Sequence, residues 1–494
     1  MNTRILQGFP WIIIKFFFSP NPELFFLRWF ITIGLLVSFT LPPFMGPDEA
    51  THVYRVYELS SFDLKLDKFS NGYGYKIPDT IIKLNQDQFS SNANQPAHNV
   101  LAHNIKSGPI NAPPSIQYFE NASTYLPTGY LHMVITASVS KVLGLSAYTS
   151  IMLMRLTNLA VCGTLVYLAI KTIPKKKWFF VMVGLFPMAI HQTAVITPDG
   201  IVNSVALLSI AMVAMLIYNK RPVDRKYLIG LLTMLTIASL TKQAYVLLSL
   251  ILFLIPASVF RHSIIKLRYI AVCMLVILSI LGLYNVATIT TTNNGLAMWR
   301  QRDGFGETKT ANEFVNDIVH RPVYTLRFLT GSFVYNISPE YNKPTDQKTF
   351  MHNEHADFTA ITFYGSFGSL NIKYPAWITP IVLLGLLIPL LSENYTFLKE
   401  RRERLLIWFI ILSTCTLLTL LLWFKWTART DPAIVGLQGR YFIPLLGLLV
   451  FVTTGRYVKV YVRKSYLPKL LGGIVFIEGA MMLVLIFSRF YAGP

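Results

Sequence analysis

The sequence predicts an all-α polytopic membrane protein, a helical bundle of about eleven transmembrane helices with two large periplasmic loops. Hydrophobic residues make up 53% of the 494 residues and charged residues 14%. The mean hydropathy is +0.48, which is too apolar for an ordinary soluble domain. The net charge of +20 comes from Lys and Arg clustered between apolar runs. Membrane lipids, and not nucleic acid, are therefore the expected polyanionic partner.

Apolar runs long enough to cross a bilayer are the basis of the helix assignment. Each is close to the roughly 20 residues that a transmembrane helix needs. The first run lacks a small-residue cleavage site, so we expect it to be retained. The predicted spans are 24–43, 147–170, 178–196, 201–218, 268–289, 375–391, 405–426 and 470–490.

Two further stretches need an argument. The apolar stretch 227–259 carries Lys242 at its centre, and a lysine in the middle of a bilayer is costly. We therefore predict two short helices that meet at this residue. The stretch 441–456 is short and contains Pro444, but it lies between a polar and a basic loop, so we count it as a span.

The run 126–143 is ambiguous. Counting it as a full span would put the basic loop 171–177 on the outside, against the positive-inside tendency. We therefore predict a juxtamembrane or half-inserted helix, with the N-terminus inside and the C-terminus outside. All the basic loops are then cytoplasmic, namely 171–177, 219–226, 261–268, 399–404 and 456–469.

These assignments divide the chain into five regions. Both large polar regions contain many aromatic residues, so we expect them to be folded and not disordered. The regions are the N-terminus and first span (1–44), the first periplasmic loop with juxtamembrane helices (45–146), a transmembrane bundle (147–289), the second periplasmic loop (290–374) and the C-terminal transmembrane helices (375–494).

The run GPDEATHVYR at 46–55 follows the first span directly. Asp48 and Glu49 are predicted to lie near a helix N-terminus, which favours carboxylates. At helical spacing Asp48, His52 and Arg55 share one face, so that a base and an anion binder could lie in one patch. The competing interpretation is a solvated helix start with an internal salt bridge.

Three more polar sites fall on the same predicted side. Asp199 lies at the mouth of the bundle or caps the next helix. Lys242 needs either room to snorkel or an anion. In GLQGRYF at 436–442, Arg440 followed by Tyr441 is either a phosphate clamp or an interfacial anchor.

Other candidates carry less weight. Tyr125, Pro127 and Tyr130 in YLPTGY indicate an interfacial aromatic anchor, or rings that stack on a sugar. His352, Glu354, His355 and Asp357 do not have HExxH spacing, so we predict no metal site there. The three cysteines lie inside apolar runs and predict neither a disulfide framework nor a metal cluster.

Four segments together resemble a family of bacterial multi-pass membrane proteins marked by PDExxHxxR and GVQGRYF. They are PDEATHVYR at 47–55, YLPTGY at 125–130, TPDGIVN at 197–203 and GLQGRYF at 436–442. Leu437 stands where that pattern has Val. The family is similar to the GT-C glycosyltransferases, which have many spans, a large first outer loop with a catalytic carboxylate, and a polyprenyl-phosphate sugar as donor. The nearest functional analogy is with serotype-converting O-antigen glucosyltransferases.

The resemblance implies an enzyme of the bacterial inner membrane, with its active site on the periplasmic side. It would move a hexose, glucose by analogy, from a polyprenyl-phosphate donor to a glycan such as lipopolysaccharide O-antigen, with inversion. A flippase and a donor synthase would be its partners. Asp48 is the expected base and Glu49 the alternative base or an acceptor-orienting residue. No DxD motif is present, so no cofactor is required, although a divalent metal remains compatible.

Within that scheme the remaining site residues bind substrate. Lys242, Arg440 and Arg55 would hold the phosphate, and His52 would orient the carboxylate or the acceptor. Two other classes stay open. A transporter or flippase for an anionic lipid-linked substrate would also need buried cations near broken helices. A non-enzymatic assembly partner would tolerate loss of Asp48.

Overall fold

A computed structural model describes residues 16–94, 107–120, 122–260, 262–303, 306–334, 361–431, 433–453 and 460–492. Within these residues six helices are long and apolar enough to cross a membrane. This confirms an all-α membrane protein. The six helices are α1 (Pro22–Thr40), α5 (Ala147–Thr172), α8 (Asp199–Asn219), α10 (Ser263–Asp303), α14 (Arg401–Trp426) and α16 (Leu467–Phe490). The count of about eleven spans stays a prediction.

Helix α8 is the centre of the bundle, because 94% of the residues in its most apolar stretch are buried. It packs against α5, against α9 (Arg225–Thr241) and against a 3-10 segment, Gly439–Leu448. By contrast, only 22% and 28% of the residues in the most apolar stretches of α10 and α14 are buried. These two helices therefore present apolar faces outward, as lipid contact requires. Because α8 packs against at least three other elements, several parts of the chain meet at one of its ends.

The predicted single helix 178–196 is wrong. The chain forms α6 (Lys177–Gly184) and α7 (Pro187–Ala194), with a break between them. Proline has no N–H for a helical hydrogen bond and its ring clashes with the preceding turn, so α7 begins anew at Pro187. Hydropathy across the break is continuous, which is why the run looked like one span.

The predicted break at Lys242 is confirmed. Helix α9 ends at Thr241, Lys242 is extended with φ −137° and ψ 111°, and a 3-10 segment follows at Gln243–Leu254. The predicted span 441–456 also begins as a 3-10 segment, Gly439–Leu448, which the short helix α15 (Leu449–Val452) follows. Both irregular segments pack against α14.

The ambiguous run 126–143 forms a turn at Pro127–Gly129 and then α4 (Leu131–Val142). Twelve residues make a helix about 18 Å long, which is too short to cross a hydrocarbon core of about 30 Å. Helix α4 packs on α5 and on α2 (Glu49–Leu59). Its length agrees with the prediction that this run does not cross fully, while its depth in the membrane stays a prediction.

The first large loop folds around a small sheet that the sequence analysis did not predict. Strand β1 (Asp67–Phe69) pairs antiparallel with β2 (Gly72–Pro78), and β2 pairs with β3 (Pro114–Tyr118). Helix α3 (Asp79–Asn94) packs against this sheet. The buried side of the loop contributes to a second hydrophobic core, which includes Tyr57, Ile77, Phe119 and Tyr130 together with Ile151 of α5.

The second large loop starts as a continuation of α10, which runs past the predicted end at 289 to Asp303. Next come α11 (Ala311–His320), α12 (Pro322–Val334) and a hairpin of β4 (Ser366–Phe367) and β5 (Ile372–Lys373). The chain then enters α13 (Thr379–Ser392). The aromatic residues of this loop pack as expected, since Phe314 and Phe328 lie against the buried Trp423.

Candidate functional site

Residues from five distant parts of the sequence meet at the N-terminal end of α8. We call them the polar cluster. The cluster consists of Asp48, His52, Tyr125, Asp199, Lys242, Arg440 and Tyr441. All seven are residues that the sequence predicted for the site.

Asp48 has an unusual backbone and an open side chain. It precedes α2 with φ 55° and ψ 16°, a left-handed conformation that is uncommon outside glycine. Its carboxylate makes no capping hydrogen bond. Instead, Oδ2 lies 3.4 Å from Nη2 of Arg440, and the side chain is 52% exposed. The solvated helix start is therefore correct in position and exposure, but the carboxylate does not cap the helix and lies instead beside Arg440.

Asp199 is the buried carboxylate of the cluster. Its Oδ1 lies 2.5 Å from Nζ of Lys242, and its Oδ2 lies 3.4 Å from Nε of Arg440. Gln192 donates a further hydrogen bond to Oδ2 at 3.2 Å. The alternative of an N-cap is wrong, since Pro198 holds that position and Asp199 is the first helical residue. One carboxylate therefore bridges two cations.

Arg440 is almost fully buried, with 2% of its side chain exposed. Its Nη1 atom has no hydrogen-bond acceptor among the described residues, and its Nε atom meets Asp199 only through the long 3.4 Å ion-pair contact. Buried polar groups are nearly always hydrogen-bonded, so donors in this state are available to a ligand. The ring of Tyr441 lies between the two cations, with Nζ of Lys242 3.7 Å and Cζ of Arg440 5.4 Å from its centroid. The ring thus supports both charges through cation–π contact.

His52 faces the cluster from α2 as an uncharged group. Burial lowers its pKa to about 4, because desolvation disfavours the imidazolium more than Asp48 and Asp199 favour it. Its Nδ1 lies 2.7 Å from the hydroxyl oxygen of Tyr130. The ring of Tyr125 lies edge-on at 5.6 Å. The sequence predicted Tyr130 as part of an aromatic anchor or a sugar-stacking group, and did not predict its contact with His52.

Arg55 lies outside the cluster. Its Nη1 donates to Glu58 at 2.7 Å, and its Nη2 donates to the carbonyl of Tyr125 and to the hydroxyl of Tyr284, each at 3.2 Å. Both members of the Arg55–Glu58 pair have fully buried side chains. Nε of Arg55 has no acceptor among the described residues, but the only carboxylate that Arg55 pairs with there is Glu58, so it does not join Asp48 and Asp199. The prediction that Asp48, His52 and Arg55 share one helical face holds for His52, which faces the polar cluster, but not for Arg55, which pairs with Glu58.

Glu49 is occupied on every side. Its side chain is fully buried. Nε of Arg155 donates to Oε1 at 2.7 Å, and Nη2 of Arg155 donates to Oε2 at 2.6 Å. The backbone N–H groups of Gly46 and Ile196 also donate to its two oxygens. An acceptor hydroxyl has no access to this carboxylate. Of the two candidate bases, the geometry favours Asp48.

Close packing between loops holds the cluster together. The Gly129 position of YLPTGY has no room for a side chain, since a Cβ there would lie 2.6 Å from Cγ2 of Thr241 and 2.8 Å from Cβ of Pro198. The hydroxyls of Thr128 and Thr241 also lie 3.3 Å apart. This contact presses the first large loop against the residues next to Lys242 and Asp199.

The second large loop fixes the segment that carries Arg440. The N–H of Gly439 donates to Oγ1 of Thr362 at 2.8 Å, and the N–H of Ile434 donates to Oγ of Ser332 at 3.0 Å. The hydroxyl of Tyr245 donates to the carbonyl of Tyr441.

The described residues contain no group of three or more His, Cys, Asp or Glu that could hold a metal. The segment 352–357 lies outside the described residues.

Comparison with known proteins gives a family. A family model described as a predicted membrane protein, DUF2142, matches residues 30–449, a stretch that contains the whole polar cluster. No curated protein and no solved structure matches the chain. The protein is a member of the DUF2142 family of membrane proteins.

Proposed function

We propose that the protein is an inverting membrane glycosyltransferase that moves a hexose from a polyprenyl-phosphate donor to a glycan acceptor at the polar cluster. The observation that carries this proposal is the arrangement around Arg440. Its Nη2 meets the exposed carboxylate of Asp48 at 3.4 Å, while among the described residues its buried Nη1 has no acceptor. One cation can therefore contact both the proton acceptor and the departing phosphate.

The transfer can be written so that every charge in the cluster is accounted for. The cluster holds two cations, Lys242 and Arg440, and two carboxylates, Asp48 and Asp199, while His52 is neutral. A phosphodiester donor adds one negative charge. In the transfer, the acceptor oxygen bonds to the anomeric carbon, the bond from that carbon to the phosphate oxygen breaks, and the phosphate keeps the electron pair. Asp48 takes the acceptor proton.

The net result is that one negative charge moves from Asp48 to the leaving phosphate. The cluster carries the same total charge before and after the reaction, and Arg440 lies beside both positions. Fixed donors of this kind stabilise developing charge most strongly in a site shielded from water. Asp48 is the only exposed carboxylate of the cluster, so an acceptor can reach it. The glucose donor, the O-antigen acceptor and the periplasmic side remain part of the proposal.

A transporter or flippase for an anionic lipid-linked substrate is the second candidate. The break at Lys242, where a cation lies between α9 and a 3-10 segment, is a feature that transporters also use. Such a protein would carry the intact lipid-linked sugar across vesicle membranes and would transfer no hexose.

The test uses purified protein in lipid nanodiscs with radiolabelled polyprenyl-phosphate glucose and lipopolysaccharide as acceptor. Asp48→Asn keeps the size of the side chain and removes its basicity, so we expect the rate of transfer to fall at least about 100-fold. Asp67→Asn changes an exposed carboxylate in the same loop and should leave transfer unchanged. Wild-type transfer by Asp48→Asn would show that the base assignment is wrong.

A further inference from the structure

Arg155 and Glu49 form a buried junction between three parts of the chain. Arg155 lies in α5 and uses all of its five N–H donors. Two go to Glu49, and three go to the carbonyls of Ser38, Leu41 and Pro42 at distances of 3.1, 2.6 and 2.9 Å. The carbonyl groups at the end of a helix lack partners within the helix. One guanidinium therefore joins the end of α1 to the start of α2.

The same junction reaches the residues before Asp199. Oε1 of Glu49 accepts from the N–H of Ile196 at 3.0 Å. One helical turn beyond Arg155, Asn158 donates to the carbonyl of Val195 at 2.7 Å. The carboxylate of Glu49 thus connects the loop that carries Asp48 with the loop that leads into Asp199.

Asp48 needs such support because its own contacts do not fix it. Its left-handed backbone is uncommon for a residue with a Cβ. Its side chain makes no capping bond, and its contact with Arg440 is long at 3.4 Å. By contrast, the neighbouring Gly46 and Glu49 are held to each other, with the Gly46 N–H donating to Oε2 at 2.9 Å. The residues on both sides of this position are therefore anchored.

We infer that Glu49 and Arg155 are positioning residues, whose ion pair fixes the backbone around Asp48 and so directs its carboxylate toward Arg440 and the acceptor. This inference rests on the proposed function. A misplacement of about 1 Å at a reacting group can cost about 100-fold in rate. Loss of the pair should therefore lower turnover while leaving the phosphate site, formed by Lys242 and Arg440, intact.

The first experiment measures kcat and KM for polyprenyl-phosphate glucose in nanodiscs. For Glu49→Gln we expect kcat per folded molecule to fall about 10- to 100-fold, with the donor KM within about threefold of wild type. The pH dependence of kcat should persist, because Asp48 is still present. Asp79→Asn breaks an exposed pair with Lys83 in the same loop and should change neither parameter.

Other roles for Glu49 predict different results. If Glu49 were the base, Glu49→Gln would lose as much activity as Asp48→Asn, and the pH dependence of kcat would disappear. If the pair only stabilised the fold, the melting temperature would fall while kcat per folded molecule stayed at the wild-type value. Either result would overturn the inference.

Two further variants keep the test decisive if Glu49→Gln does not fold. Glu49→Asp retains the charge but shortens the side chain by one methylene, and we expect a smaller loss in kcat. Arg155→Lys retains the charge but loses the paired hydrogen bonds, and combining it with Glu49→Gln should add little to the larger single effect. Wild-type kcat in Glu49→Asp and Arg155→Lys would refute the positioning role.

The outcome also separates this inference from the proposed function. If Asp48→Asn is inactive while Glu49→Gln has wild-type kcat, the proposed base stands and the positioning role fails. If the wild-type protein and all variants transfer no hexose, or if Asp48→Asn is fully active, the proposed function itself fails.

Discussion

Nζ of Lys242 lies 2.5 Å from Oδ1 of Asp199, and the two side chains are 9% and 7% exposed. Lys242 directly follows the last residue of α9, and Asp199 is the first residue of α8. Because Asp199 also contacts Arg440, its carboxylate acts as an internal counter-ion for both cations of the cluster. A phosphate that binds there shares these cations with a carboxylate already present. This relationship determines how the site should respond to substitution.

Lys242→Ala and Arg440→Ala are expected to weaken binding of polyprenyl phosphate. Each removes a charged hydrogen-bond donor worth about 1.5–3 kcal/mol, which corresponds to roughly a 10- to 100-fold loss in affinity. Binding to protein in nanodiscs can be measured by isothermal titration calorimetry. Lys68→Ala, an exposed site in the first large loop, is the control. Wild-type affinity in both cluster variants would remove the phosphate site from the proposal.

Asp199→Asn should have opposite effects on stability and on affinity. Leaving Lys242 and Arg440 without their buried counter-ion is expected to lower the free energy of unfolding by about 3–5 kcal/mol. The same change removes the competitor for phosphate, so polyprenyl phosphate should bind more tightly and should raise the melting temperature more than in wild type. Thermal unfolding with and without this lipid measures both effects. Weaker binding would mean that Asp199 does not compete with the ligand.

His52 should make stability depend on pH in the acid range. Its folded-state pKa of about 4 lies below its ordinary value of 6.5, so the unfolded chain binds more protons between these values. The stabilisation is fully present above pH 6.5 and is lost as pH falls toward 4, by up to about 3 kcal/mol. The melting temperature of wild type should therefore fall more steeply between pH 6.5 and 4.5 than that of His52→Gln. Equal slopes would contradict a buried neutral His52.

Gly129→Ala should disturb the cluster without touching a charge. The added Cβ would lie 2.6 Å from Thr241 and 2.8 Å from Pro198, and such overpacking costs about 1–3 kcal/mol. Because these neighbours flank Lys242 and Asp199, we also expect weaker binding of polyprenyl phosphate. Gly282→Ala in α10, where no atom lies within 4 Å of the added Cβ, is the matched control. An equal melting temperature in both variants would show that the Gly129 contact is not tight.

The orientation of the chain is testable independently of any activity. Helix α4 is too short to span, so the basic loop 171–177 is expected in the cytoplasm and the C-terminus outside. A phosphatase reporter, active only outside the cytoplasm, fused after Pro494 should be active. An active reporter after Lys175 would place that loop outside, and the proposed topology would be wrong.

Several features were readable from the sequence because they depend on local chemistry. Hydropathy located the spans near α1, α5, α8 and α16, and the cost of a lysine in an apolar run located the break at Lys242. Both are properties of a single stretch of chain. The break at Pro187 could have been read in the same way, but the continuous hydropathy of the run outweighed it.

The division of roles between neighbouring residues required the fold. Asp48 and Glu49 are adjacent and chemically similar, yet one is half exposed beside Arg440 and the other is enclosed by Arg155. Arg55 has the spacing for the same face as His52, but a buried Glu58 pairs with it. No local pattern distinguishes these cases, because each partner is selected by packing.

Apolarity, helix breaks and costly charges are local properties, so a membrane-embedded helical protein and its candidate site residues could be predicted from the amino-acid order alone. The tertiary structure decided which of those residues meet. Asp48 and Arg440 are 392 positions apart and lie 3.4 Å from each other, whereas Arg55 is drawn away. Burial makes unpaired charge expensive, so the packing of the bundle and its two loops fixes the pairs, and those pairs define the site.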